Sequence, residues 1–270
     1  MAQPLNIALF GAAGRMGREV VATVRESPGF RLVAAVARAG SDGVGNDIGA
    51  IASGVPLGLA LSSDPEAAAK AADVLVDFST PAGFTVALEA ARRAACAFVS
   101  GTTGLDASHR AALQAAAGDI PVFHAANMSF GMAVLNRLTG DAAHMLSDDF
   151  DVEIVEMHHR YKKDAPSGSA LHLGETIAAA RGTTLRKSAT YGRRGEGARS
   201  AGSIGFASLR GGDVAGDHTV IFAGDGERLE LTFRAGSRRI FANGALRAAG
   251  WLATQPAGLY SMGDMINALK

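Results

Sequence analysis

The chain is 270 residues long, enough to bury a substantial core in one large domain or two modest ones, and it carries 26 basic against 26 acidic residues. Zero net charge gives no global support for a sequence-independent grip on nucleic acid, which depends on excess cationic charge, so any anion recognition has to be local. The single Cys96 excludes an intramolecular disulfide and fits a reducing compartment.

The first stretch, MAQPLNIALFGAAGRMG, has no basic leader, and its apolar run breaks at glycine too early for a signal segment or a membrane span. A cytoplasmic location with no membrane partner is therefore expected. LNIALF (5–10) is a nearly continuous apolar run, as expected of a strand buried on both faces of a parallel sheet, and a helix should follow over 14–26. Between them GAAGRMG places Gly11, Gly14 and Gly17 in a G-x-x-G-x-x-G spacing, one step off the commoner dinucleotide fingerprint. Glycines there permit a tight turn and let backbone N–H groups approach a pyrophosphate at a helix N-terminus. A glycine turn without a ligand is the plain alternative, and the position of the motif in the first strand-to-helix turn argues against it.

RLVAAVA (31–37) reads as the second strand. An acidic side chain at its end would bond the ribose hydroxyls of NAD, whereas an arginine suits a 2′-phosphate. The residues are Val36, Ala37 and Arg38, with no carboxylate before Asp42, which predicts a preference for NADPH over NADH with Arg38, and Arg15 as a second candidate, facing the phosphate. A solvated surface charge is the competing reading of Arg38. DVLVDFS (73–79), CAFVSG (96–101) and PVFHA (121–125) repeat the strand signal, with helical stretches at 64–71, 81–95 and 106–117 between them. Alternating strand and helix give a doubly wound parallel sheet. The turns DFSTP, SGTTG and HAANMS then fall at the carboxyl ends of strands, where such sheets hold ligands, although each alone also fits an ordinary capped loop.

After a helical FGMAVLNRLTGDAAHML the texture changes. DVEIVEMHH alternates, a helix begins near Ser167, and SIGFASLR, HTVIFAG and ERLELTFRA follow, separated by Gly and Asp turns. These later strands are antiparallel in character and predict a second domain with an open mixed or antiparallel sheet over 130–240. The segment 181–202, with Arg186, Lys187, Arg193, Arg194 and Arg199 among glycines, reads as a mobile loop. RIFANGALRAAGWLATQ is helical and is placed to return to the first domain.

HHRYKKDAPSGSA (158–170) concentrates His159, Arg160, Lys162 and Lys163 just before Pro166, Ser167, Gly168 and Ser169 at the expected helix start. Amides at a helix start lack intrahelical acceptors, and with cations nearby the natural partner is a carboxylate or phosphate. Crowding by positive charge should lower the pKa of His158 or of a lysine there, which suits acid catalysis. A solvated basic loop beside a capped helix competes with that reading. A metal site on His158, His159 and His172 is disfavoured, because neighbouring strand residues point to opposite faces and no acidic or cysteine ligand has the usual spacing. His124, His144 and His218 read as isolated residues without function.

GAAGRMG, GTTG and HHRYKKDAPSGSA together resemble the dihydrodipicolinate reductase family, also called 4-hydroxy-tetrahydrodipicolinate reductase, over nearly the whole chain in motif order. The resemblance implies a Rossmann-like doubly wound domain of residues 1–129, completed by 241–270, and a smaller α+β domain of residues 130–240 for substrate binding and oligomerisation. It implies reduction of 4-hydroxy-tetrahydrodipicolinate to tetrahydrodipicolinate with NADPH or NADH, in diaminopimelate and lysine biosynthesis, by a homotetramer without a metal. His158 and Lys162 would handle protons; His159, Gly168 and Ser169 would bind the carboxylates of a small dicarboxylate substrate. Cofactor contacts would come from Gly11, Ala12, Ala13, Gly14, Arg15, Met16, Arg38, Gly101, Thr102, Thr103, Ala125, Ala126, Asn127 and Met128. Two positions depart from members of the family: Ala37 stands where some carry an acidic residue serving NADH, and Thr80 where some bacterial members carry arginine; Ser169 for threonine keeps both the hydroxyl and the backbone donor.

Overall fold

The computed structural model describes residues 3–269, which fall into two units, one built from residues up to Phe130 and from Arg238 onward, the other from Gly131–Ser237. In chain order the first unit begins β1 (Leu5–Phe10), α1 (Arg15–Arg25), β2 (Phe30–Val36), α2 (Ile48–Ser53), β3 (Leu61–Ser62), α3 (Pro65–Ala71) and β4 (Val74–Asp77). It continues with α4 (Pro81–Arg93), β5 (Ala97–Ser100), α5 (Ala107–Ala116) and β6 (Pro121–His124). The second unit holds α6 (Phe130–Leu146), β7 (Asp151–His158), α7 (Gly168–Ala180), α8 (Leu185–Ser188), β8 (Ala189–Tyr191), β9 (Ile204–Arg210), β10 (Gly216–Gly224) and β11 (Glu227–Ala235). The chain then returns through α9 (Arg239–Leu252), β12 (Gly258–Tyr260) and α10 (Met262–Asn267).

The first sheet has the order β12-β6-β5-β4-β1-β2-β3, with every pairing parallel. Every residue of β4 and β5 is buried, as are the last four of β1, which is what strands covered by helices on both faces require. From β1 the chain winds one way to β2 and β3 and the other way through β4 to β6, so the order reverses between β1 and β4. Ligands of open α/β sheets sit at the carboxyl ends of strands flanking such a reversal. The helices that follow β3, β4 and β5 start on side-chain caps, Asp64, Thr80 and Asp106, whose oxygens accept first-turn amides. Thr80, to which the sequence assigned no role, is thus the cap of α4. α2, β3 and β12 were not legible in the sequence, being short segments without a periodic apolar pattern.

The second sheet is mixed, in the order β11-β10-β7-β9-β8. β10 pairs antiparallel with β11 and with β7, whereas β9 pairs parallel with β7 and with β8. Alternate residues of β7, Val152 and Ile154, join Ile204, Phe206, Val220 and Phe222 in a core covered by apolar residues of α6 and α7. The expected mobile loop over 181–202 is corrected by the structure: it contains α8 and the edge strand β8. Arg193 pairs with Glu153, and Arg199 with Glu153 and Asp151, so these basic residues are tied to β7.

Candidate functional site

The glycine turn lies between β1 and α1. Gly11 adopts φ +79, and a Cβ there would lie 2.6 Å from the Phe78 carbonyl oxygen; one at Gly17 would lie 2.3 Å from the Gly11 carbonyl oxygen. Only glycine lets the turn close this tightly on β4 and on its own helix. The amides of Gly11 and Ala12 donate to Val36 O, and that of Gly14 to Gly11 O. Among the described residues no backbone acceptor meets the amides of Ala13, Arg15 or Met16, and α1 starts at Gly14 without a side-chain cap. An uncapped helix start with unused amides behind a glycine turn fits the pyrophosphate of a dinucleotide. Arg38 is exposed two residues beyond the end of β2, and neither it nor exposed Arg15 is in an ion pair among the described residues.

The neighbouring turns are braced by Asp77, which is fully buried at the end of β4. Its carboxylate accepts from Ser79 N at 3.0 Å and Ser79 Oγ at 2.5 Å, from Ser100 Oγ at 2.8 Å and from Thr102 Oγ1 at 2.7 Å. Burial pushes the Asp77 carboxyl up against the bonds from Ser79, Thr102 and Ser100. The hydroxyl of Thr102 is therefore committed to Asp77, leaving its backbone for any ligand, while Thr103 beside it is exposed. His124 Nε2 lies 3.1 Å from Thr102 O, and Ala125 N donates to Ser100 O, which fixes the turn after β6. Ala126 is exposed, Met128 is buried in the core, and Asn127 Oδ1 accepts from Ser129 N.

In the second unit the alternation of β7 puts Glu156 and His158 on the same face as Val152 and Ile154. Glu156 is 1% and His158 9% exposed. His158 Nδ1 lies 2.6 Å from Glu156 Oε2, and Arg210 grips Glu156 with both terminal nitrogens at 2.8 Å. Ser167, the cap of α7, donates its amide to Glu156 Oε1 and places its hydroxyl 3.1 Å from His218 Nε2. Gly168 and Ser169 occupy the first two positions of α7, at the positive end of the helix dipole. Lys162 pairs with Asp164 at 2.9 Å, and exposed Arg160 and Lys163 add to the field. Burial lowers the pKa of His158, with Lys162 and Arg210 reinforcing and Glu156 opposing. The bond from Lys162 holds the Asp164 carboxyl below its ordinary range.

His218 is not isolated, contrary to the sequence reading: it is 4% exposed, its ring meets that of His158 edge-on at 5.1 Å, and burial pushes its pKa down to about 4. The structure thus brings His158, Lys162, Gly168 and Ser169 to one region together with Glu156, Arg210 and His218, which sequence reasoning missed. His159 is half-buried just beyond β7, with no hydrogen-bond partner for Nδ1 among the described residues. No group of three or more His, Cys, Asp or Glu among the described residues is arranged to hold a metal ion. No helix among them is long and apolar enough to cross a membrane.

Residues 5–128 match the family model for the dihydrodipicolinate reductase N-terminus and residues 131–266 that for its C-terminus. The chain is 50% identical over 262 residues to the 4-hydroxy-tetrahydrodipicolinate reductase of Alkalilimnicola ehrlichii, covering 97% of this chain and 98% of the relative. Against the enzyme of the same name from Nitrosomonas europaea it is 47% identical over 264 residues, covering 97% and 98%. A solved, dipicolinate-bound dihydrodipicolinate reductase from Paenisporosarcina sp. TG-14 superposes with a TM-score of 0.74 at 22% identity, covering 96% of this chain and 97% of that one, a likeness of fold.

Proposed function

This chain belongs to the dihydrodipicolinate reductase family, and on that premise we infer that it catalyses the NAD(P)H-dependent reduction of 4-hydroxy-tetrahydrodipicolinate to tetrahydrodipicolinate in diaminopimelate and lysine biosynthesis. The observation that carries the reading is the grouping of His158 and Lys162, two side chains able to carry a proton, with a helix N-terminus in the unit that follows a dinucleotide-type glycine turn.

The first unit, up to Phe130 and from Arg238 onward, is the nucleotide-binding domain. Amides of Ala13, Arg15 and Met16 receive the pyrophosphate, and the backbone of Gly11, Ala12 and Gly14 shapes the turn. Gly101, Thr102, Thr103 and Ala125 to Met128 line the nicotinamide end, with Thr102 and buried Met128 acting through their backbones. NADPH is the preferred cofactor, NADH the lesser one, because Arg38 supplies a cation where a carboxylate would select the free ribose hydroxyl. When bound, the nicotinamide supplies the hydride.

The second unit, Gly131–Ser237, takes the cyclic dicarboxylate. His159, Gly168 and Ser169 hold its carboxylates, since a helix start and nearby cations offset two negative charges. Holding the ring in one orientation contributes several kcal/mol to the rate. Loss of water from the substrate precedes reduction, after which one ring centre takes the hydride and its neighbour a proton from His158 or Lys162. Proton donation of this kind contributes about 10²- to 10⁴-fold. Cytoplasmic location and assembly as a homotetramer belong to the same proposal; the edge position of β11 supports the latter.

Purified protein mixed with NADPH and enzymatically generated substrate should oxidise NADPH only when substrate is present. Oxidation of aspartate with NADP instead would make the chain an amino-dicarboxylate dehydrogenase, and NADPH binding without turnover would make it a nucleotide sensor.

A further inference from the structure

β7 carries a charged residue where its alternation calls for an apolar one. An ionised carboxylate buried among Val152, Ile154 and their neighbours is costly unless its oxygens are fully engaged. Those of Glu156 are: Oε1 accepts from Arg210 at 2.8 Å and from the Ser167 amide at 3.2 Å, while Oε2 accepts from the other Arg210 nitrogen at 2.8 Å and faces His158 Nδ1 at 2.6 Å. Burial pushes the Glu156 carboxyl up, but the bonds from Arg210, Ser208 and His158 outweigh it and hold the pKa at about 2. Near neutral pH the group is ionised and can only accept hydrogen bonds. The ring nitrogen facing it must therefore be the one that carries hydrogen.

We propose that Glu156 is a positioning residue for the proton step, anchored by Arg210, and that it fixes His158 as the Nδ1–H tautomer so that Nε2 is the atom that gives and takes the proton. The proposal rests on the reading of His158 as a proton-handling residue and names the atom and the partner that reading leaves open. Arg210 extends the device. The nitrogen that bonds Glu156 Oε1 also donates to the Asp164 carbonyl oxygen at 2.6 Å, and the Asp164 side chain pairs with Lys162. One guanidinium on β9 thus fastens the supports of both proton-handling side chains. The charged and titratable groups around His158 are Glu156 on its own strand, Arg210 from β9, His218 from β10 and Lys162 from the following loop. Only Glu156 among them favours the charged imidazole.

Glu156→Gln tests this in the full chain. The amide nitrogen costs least at the Oε2 position, where it opposes one Arg210 nitrogen, because at Oε1 it would oppose the other Arg210 nitrogen and the Ser167 amide as well. It then donates to His158 Nδ1 and forces the hydrogen to Nε2. Nitrogen-15 NMR of labelled histidine, without substrate and with the His158 signal assigned by its loss in His158→Gln, should show the Nδ1–H pattern in the wild type. In Glu156→Gln it should show the Nε2–H pattern and a titration midpoint at lower pH. Turnover should fall roughly tenfold or more, because a carboxylate that fixes the tautomer of a catalytic imidazole is worth at least that much in rate, with the KM for NADPH within twofold of the wild type. The limb of the kcat/KM profile that reports His158 should move to lower pH. If the glutamine variant does not fold, the wild-type spectrum serves as the test by itself, since an ionised Glu156 can only accept from Nδ1–H. The Nε2–H pattern in the wild type, or an unchanged tautomer and midpoint in folded Glu156→Gln, overturns the proposal. Absence of substrate-dependent NADPH oxidation in the wild type removes the functional reading instead, while the tautomer measurement still decides the role of Glu156.

Discussion

Gly216 presents no side chain to His158: a Cβ built on it would lie 3.0 Å from His158 Nε2 and 3.3 Å from Cδ2. The glycine also adopts φ +156, which L side chains rarely take. In the proposed mechanism Nε2 has to meet the substrate, so Gly216→Ala should crowd the reacting nitrogen and turn the ring. The expected result is a roughly tenfold fall in kcat, since small misplacements of a reacting group are costly in rate. NADPH affinity should be unchanged, because the proposed function assigns that binding to the other unit. Steady-state kinetics with a nucleotide fluorescence titration reads both.

His218 should make the second unit sensitive to acid. Burial holds its pKa at about 4, below the ordinary value of 6.5, with His158 adding to the effect and Glu156 opposing it. The folded state therefore binds this proton less readily than the unfolded chain. The stability involved is fully present above about pH 6.5 and is lost as pH falls toward 4, amounting to about 3 kcal/mol in total and about 2 kcal/mol by pH 5. Urea denaturation at pH 7.5 and pH 5 should show that loss in the wild type and a much smaller one in His218→Asn. Equal losses in the two proteins would assign the acid sensitivity elsewhere.

Arg38 sets the cofactor preference in the proposed function. Removing its charge in Arg38→Ala should lower kcat/KM for NADPH about 10- to 100-fold, the loss expected of a charge-assisted contact worth about 1.5–3 kcal/mol. NADH should be affected little. Comparing the two cofactors in both proteins checks this, and a wild type that uses NADH as well as NADPH would refute the assignment.

The glycine turn and the basic stretch were legible because each is local: Gly11, Gly14 and Gly17 sit where a strand run meets a helix, and Ser167 is a helix cap followed by an apolar period. The alternation of DVEIVEMHH also put Glu156 and His158 on one face, yet a glutamate in an alternating strand reads as solvated unless its partners are known. Those partners arrive through strand pairing. Arg210 lies 54 residues from Glu156 on β9, and His218 lies 51 residues from Ser167 on β10. No spacing rule links residues so far apart, so His218 read as isolated. β12 is a three-residue segment without a periodic apolar pattern, and its partner β6 precedes the whole second unit in sequence, so neither pattern nor neighbours marked it. β8 was hidden differently, since its three residues lie among glycines and arginines that look like a loop.

The most direct measurement is single-turnover reduction of enzymatically generated substrate at saturating NADPH by the wild type, His158→Gln and Lys162→Ala, with NADPH affinity measured in parallel. Both variants should bind NADPH within about twofold of the wild type and transfer hydride at least about 10²-fold more slowly, the contribution expected of a positioned proton donor. Hydride transfer at near wild-type rate in both variants would contradict the assignment of the proton step to this cluster.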